Sequence, residues 1–262
     1  MVDSAVFFCS KCRGLQGYTE YFIPVEAFGN SRAPVVMLSL NPSHREYTSI
    51  RPGAKTHPLY SPLNNDGKSA RDCLNRDQIQ RIRNRQRDYF QTGEHLDWFD
   101  PAERFLNMID TDSWGPLSFG INHLENVANV DIVKCPTDPV WGNIKEDHDA
   151  YISNCIPWLI PQLFNDHVKL IFVNGSGVYK ALKTLTDLRI RRVEKPQSVK
   201  LDSGANCEVY YDKVFDLFSD KFVFLTGTSC RISKDHYGQF HEGPQRERVA
   251  EVVENVIQRM GL

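Results

Sequence analysis

One stretch constrains the fold more than any other: Pro34-Val35-Val36-Met37-Leu38-Ser39-Leu40-Asn41-Pro42-Ser43-His44. An unbroken, partly β-branched apolar run that stops at Asn-Pro-Ser predicts a strand buried on both faces, with its carboxyl end delivering Asn41 into a polar loop. Strands of that kind belong to sheets covered by helices, and ligands of open α/β sheets bind outside the strands' carboxyl ends. Asn-Pro-Ser is also an ordinary turn sequence, so the rest of the chain has to decide between a turn and a site.

The pattern repeats downstream. Residues 126–135, 168–175 and 221–227 are three further strand candidates. Helices are expected over 69–90, from Pro101 behind Asp100 as cap, over 147–164, over 176–185 and over 243–260. Strands alternating with helices predict a three-layer α/β/α fold around a central, mainly parallel four-stranded sheet. A length of 262 residues suits one substantial core, and no internal repeat, low-complexity segment or clean linker divides it. Residues 1–262 are therefore expected to form a single domain, with a Pro- and Gly-punctuated insertion at about 44–93. The charged, irregular stretch 187–220 receives no assignment.

The formal net charge is −2, so any affinity for nucleic acid has to come from local patches. One candidate is the 69–90 helix, whose Arg81, Arg83, Arg85 and Arg87 could track a phosphate backbone. Its Asp72, Asp77 and Asp88 fit a plain solvated helix equally well. No segment is long and apolar enough to span a bilayer, and the start lacks a basic region followed by a long apolar run. A cytoplasmic protein without membrane contact is expected. Seven cysteines, an odd count in a chain this long, argue against a secreted disulfide framework. Cys9 and Cys12 have ligand spacing, Cys135 closes a strand candidate and Cys155 lies on the next helix candidate. Four thiolates from these places could hold a zinc ion or a [4Fe–4S] cluster. One close pair plus two single cysteines fits a zinc ribbon poorly, which favours the cluster. Buried structural cysteines account for Cys135 and Cys155 equally well.

Taken together, the CxxC of Cys9 and Cys12, Leu38-Ser-Leu-Asn-Pro-Ser43, Asp131-Ile-Val-Lys-Cys135, Cys155-Ile-Pro-Trp-Leu-Ile-Pro-Gln-Leu, Lys169-Leu-Ile-Phe-Val-Asn-Gly175 and the strand Phe222 to Thr226 resemble the uracil-DNA glycosylase superfamily. The order is closest to its iron–sulfur branch. The first motif, and Thr228-Ser-Cys-Arg231 near the end, are similar to the mismatch-specific thymine/uracil branch. The resemblance covers most of the chain and fails across 44–93.

It implies a monomeric, monofunctional DNA glycosylase that hydrolyses the N-glycosidic bond of a flipped base in double- or single-stranded DNA, with a [4Fe–4S] cluster on Cys9, Cys12, Cys135 and Cys155. Asn41 stands where the family positions its attacking water, and an amide orients water but is a poor base. Phe99, after Trp98, resembles the ring that stacks on the flipped base, and it also fits a hydrophobic staple at a helix start. The family's base-reading Asn aligns with Asp131. An ionised carboxylate only accepts hydrogen bonds, which favours the exocyclic amine of a cytosine, or a modified cytosine as in phage DNA, over uracil. Asn129 is the alternative reader. Thr228 occupies the position of the leaving-group histidine, with only a hydroxyl to offer. Ser229 and Arg231 belong to the loop that presses into the duplex, Arg231 being the wedge, with His236, Tyr237 and His241 as phosphate or base contacts. The expected activity is release of a modified cytosine, in antiviral defence. The alternatives are repair of uracil or deaminated bases, and a catalytically inactive DNA-binding protein on the same scaffold.

Overall fold

The structure is a computed structural model that describes residue 7 and residues 9–18, 24–42, 75–90, 100–109, 126–137, 141–232 and 244–262. Eight strands and five helices occur among them: β1 (Phe28–Gly29), β2 (Val35–Ser39), α1 (Arg76–Arg87), α2 (Asp100–Leu106), β3 (Val127–Asp131), α3 (His148–Leu163), β4 (Leu170–Asn174), α4 (Ser176–Lys183), β5 (Leu188–Arg192), β6 (Gln197–Lys200), β7 (Asn206–Asp216), β8 (Phe222–Thr228) and α5 (Pro244–Met260).

β2 is central, as its two-faced apolar pattern requires. It runs parallel to β3 on one side and to β4 on the other, and β4 in turn runs parallel to β8. Val35 and Met37 project into a core shared with Phe105 of α2 and Val249, Val253 and Ile257 of α5. Val36 and Leu38 project the opposite way, among Ile152 and Leu159 of α3 and Val178 and Leu182 of α4. Helices thus cover both faces of the sheet.

The expectation of a four-stranded, mainly parallel sheet is corrected. The sheet is mixed and eight-stranded, in the order β1-β3-β2-β4-β8-β7-β5 with β6 also paired to β7. Its pairings are three parallel and four antiparallel. The added strands come mostly from the unassigned stretch. β5 reads Leu-Arg-Ile-Arg-Arg and buries only Leu188, so its composition looks like a charged loop. β3 is shorter than its apolar run. It ends at Asp131, and Ile132–Cys135 continue as irregular buried chain. α1 begins at Arg76, because Asn75 caps it in a reciprocal box with Gln78, with both bonds at 2.9 Å.

Candidate functional site

The carboxyl ends of β2, β4 and β8 converge on one edge of the sheet, and there a cavity of about 450 Å³ opens. Asn41, Asn129, Ser229 and Arg231 line it, together with Asn174, Trp141 and the first turn of α4. Its volume falls in the range of small-molecule sites, and its place is the one expected for an open α/β sheet. Among the described residues that line it there is no carboxylate and no histidine.

Backbone geometry explains how the late loop reaches this edge. Gly227 lies opposite Val173 in the β4–β8 pair, at φ +139°, where a Cβ would meet backbone atoms of Val173. Only glycine fits so close an approach. Beyond it, the Gly175 and Ser176 amides donate to the carbonyls of Thr228 and Ser229, each at 2.9 Å. Asn174 completes the attachment. Its Oδ1 accepts from the Ile232 amide at 2.7 Å and its Nδ2 donates to the Ile232 carbonyl at 3.2 Å, which fixes the chain just after Arg231.

Thr228, expected to serve the leaving base, is fully buried and absent from the lining. Its hydroxyl donates to the Cys230 carbonyl at 2.8 Å, so its single proton shapes the turn. Ser229 faces the cavity while its Oγ accepts from the Glu208 amide at 2.7 Å. Arg231 is exposed at the rim. Asn41 is partly buried, and its Nδ2 donates to the Pro42 carbonyl at 3.3 Å.

The two candidate base readers lie on one face of β3, with Asn129 opposite Met37 and Asp131 opposite Ser39. Asn129 lines the cavity and Asp131 does not. Burial pushes the Asp131 carboxyl up to about 7, against the pull of Lys134. Burial therefore favours the protonated carboxyl, which donates as well as accepts, so Asp131 is not confined to the part of an acceptor. Lys134 is itself buried and lowered to about 8 by desolvation; its ammonium donates to the Asp131 carbonyl and to Gln162 Oε1, both at 2.6 Å.

The α1 arginines do not form one free basic face. Arg83 pairs with Glu26 at 3.0 Å, Arg87 pairs with its neighbour Asp88 at 2.7 Å, and one Arg85 nitrogen is buried. Arg81 is exposed. Phe99, His236, Tyr237 and His241 lie outside the described residues.

The cysteine calls fall on three elements that meet. The turn holding Cys9 and Cys12 docks on α3 through Gln16, whose amide donates to Asp147 at 2.9 Å, and through Asn154, whose Nδ2 donates to the Lys11 carbonyl at 3.0 Å and reaches the Cys12 sulfur at 3.7 Å. Cys12 and Cys155 share a hydrogen bond that, with burial and nearby Cys135, pushes the Cys155 thiol well up. The Lys134 amide donates to the Cys155 sulfur at 3.4 Å. Among the described residues no three or more His, Cys, Asp or Glu side chains are drawn up around one point as metal ligands. The donors nevertheless suit a thiolate-held group: three buried sulfurs in one neighbourhood, with N–H groups aimed at two of them, and half-buried Cys9 three residues before Cys12 in the chain.

No protein-family model matches the chain, and no curated protein matches it either. Two site residues went unnoticed in the sequence. Asn174 ends an apolar strand before Gly175 just as Asn41 ends one before Pro42, and that parallel was a usable signal. Trp141, stacked on His148 with ring centroids 4.3 Å apart, had no local signal beyond being aromatic in a loop.

Proposed function

We propose that the chain is a monofunctional DNA glycosylase that hydrolyses the N-glycosidic bond of a pyrimidine flipped into the cavity at the carboxyl edge of the sheet. The observation that carries this reading is the meeting of Asn41, Asn129 and Arg231 around one cavity, from strands and loops far apart in sequence. Asn41 orients the water that attacks the sugar, Asn129 hydrogen-bonds the base edge, and Arg231 at the rim enters the gap left in the duplex. Asn41 orients water but is a poor base, so on this reading stabilisation of the departing base carries much of the catalysis. The first turn of α4 brings the positive end of a helix dipole to the same cavity, where negative charge develops on that base.

The placement of Asn129 bears on the base. An amide offers one donor and one acceptor, which matches the N3–H and O4 of uracil, so release of uracil or a related deaminated base is the favoured reading. Exchanging the amide's ends reads the N3 and amine of cytosine, and the cavity has room beyond one six-membered ring. Modified cytosine is therefore the second reading. Cys9, Cys12, Cys135 and Cys155 are the residues that would hold a [4Fe–4S] cluster, whose part here is structural, tying the amino-terminal turn to α3.

The test is base release from DNA carrying uracil, thymine mismatches, cytosine, hydroxymethylcytosine or glucosylated hydroxymethylcytosine. Asn41→Ala should abolish release and preserve DNA binding. Binding without release by the wild type from every substrate would instead identify a non-catalytic DNA-binding protein.

A further inference from the structure

The antiparallel arm made by β5, β7 and the start of β8 lies away from the cavity and carries a pattern that base excision does not use. In register, Arg189 stands opposite Phe215 and Phe215 opposite Phe222; one step along, Arg191 stands opposite Lys213 and Lys213 opposite Phe224. Directly opposed residues of antiparallel strands project to the same face, and so do residues two apart on one strand. The six side chains therefore form two adjacent rows on one face of the sheet.

Their contacts show the rows closing on one another. The Arg189 guanidinium lies 5.6 Å from the centre of the Phe215 ring, and the Lys213 ammonium lies 4.4 Å from that of Phe222 and 5.0 Å from that of Phe224. The Phe222 ring meets Phe215 and Phe224 at centroid distances of 5.6 Å each. Even so, Phe222 remains 45% exposed, and Arg189 and Arg191 are exposed too. α5 covers this face further along, where Cys207, Val209 and Tyr211 join its core and half-buried Phe224 packs against it.

A charged edge strand alone is a common guard against unwanted strand pairing, but that role needs no rings. A purely apolar partner would use the rings and strand three cations against its surface. A ligand that satisfies both rows is anionic along one side and presents flat apolar faces along the other. We propose that this face is a platform for single-stranded nucleic acid: unpaired bases stack on Phe222 and its neighbouring rings, while phosphates pair with Arg189, Arg191 and Lys213. Phe222 and Thr228 are separated by six residues of one strand, about 20 Å at roughly 3.3 Å per residue, so the platform is distinct from the cavity and does not depend on the glycosylase reading.

Fluorescence anisotropy of a labelled oligothymidylate with the full-length chain tests this, with inorganic polyphosphate as the comparison ligand. Phe222→Leu keeps apolar area and removes the ring, and it should weaken oligothymidylate binding about five- to a hundred-fold while polyphosphate binding is unchanged. Lys213→Gln should reduce the slope of log affinity against log salt by about 0.7. Should Phe222→Leu fold poorly, exposed Arg191→Gln with half-buried Lys213→Gln gives the same reading through the salt slope. Equal binding of polyphosphate and oligothymidylate, both indifferent to Phe222→Leu, would reduce the face to a charged edge and overturn the proposal, as would an unchanged salt slope in the cation variants.

Discussion

Asn174 ends β4 and Asn41 lies two residues beyond the end of the neighbouring parallel strand β2, yet their amides take different parts. Both ends of Asn174 bond the Ile232 backbone, so it positions the Arg231 loop, whereas Asn41 donates to the adjoining Pro42 carbonyl at 3.3 Å and lines the cavity. Asp131 offers a direct physical test at this scale. Burial holds its folded-state value at about 7, so between about pH 4 and that value the folded chain keeps a proton which the unfolded chain has released. Its contribution to stability therefore falls as pH rises through that window. Lys134, lowered to about 8, acts in the opposite sense at higher pH, where only the unfolded chain still holds the ammonium proton. Asp131→Asn leaves the 2.6 Å bond from Lys134 to the residue 131 carbonyl in place. Urea unfolding at about pH 5 and about pH 7 should then show a smaller loss of stability between the two in the variant than in the wild type. An equal loss would assign the pH dependence to other groups. The sequence showed Asp131 and Asn129 as rival readers, but which of them lines a cavity depends on loops packed above β3, and no local pattern encodes that.

At the scale of elements, the buried strands were legible and the half-buried ones were not. β2, β4 and β8 announce themselves as apolar runs because they are covered on both faces. β5 and β6 are short and alternate buried or half-buried with exposed residues, and β7, though long and flanked by other strands, carries Glu208, Asp212 and Lys213 within it, so the composition reads as loop. α1 was visible as a helix, but the partners of its arginines were not, since charge in a sequence does not reveal them. Glu26, raised by burial and held down chiefly by Arg83, is one such partner. With side chains only 25% and 17% exposed, the Arg83–Glu26 pair ties α1 to the segment before β1. Arg83→Gln should destabilise the fold by about 1–3 kcal/mol in chemical denaturation, because it leaves a largely buried carboxylate without its guanidinium. Arg81→Gln should stay within about 0.5 kcal/mol. The reverse ranking would restore α1 as a free basic face and remove the structural role of Arg83.

For the whole molecule, two sites are joined through β3 and the chain that follows it. Asn129 on β3 lines the cavity, and six residues later Cys135 lies beside Cys12 and Cys155. The sequence showed both ends of this connection but not its form, because the strand stops at Asp131 and irregular buried chain carries on to the cysteine. If the four cysteines hold an iron–sulfur cluster, anaerobically purified protein is brown and carries about four irons per chain. Cys155→Ser should lower both the iron content and the melting temperature, and colourless wild-type protein that contains zinc instead would assign the site to that metal.

The central claim is that the cavity at the carboxyl edge of the sheet excises a pyrimidine. Abasic-site formation on the substrate panel, measured side by side for wild type, Asn41→Ala and Asn129→Asp, tests it most directly. The account predicts release of uracil by the wild type, none by Asn41→Ala, and a base preference that shifts away from uracil in Asn129→Asp. Release that persists undiminished in both variants would place the chemistry somewhere other than this cavity and contradict the account.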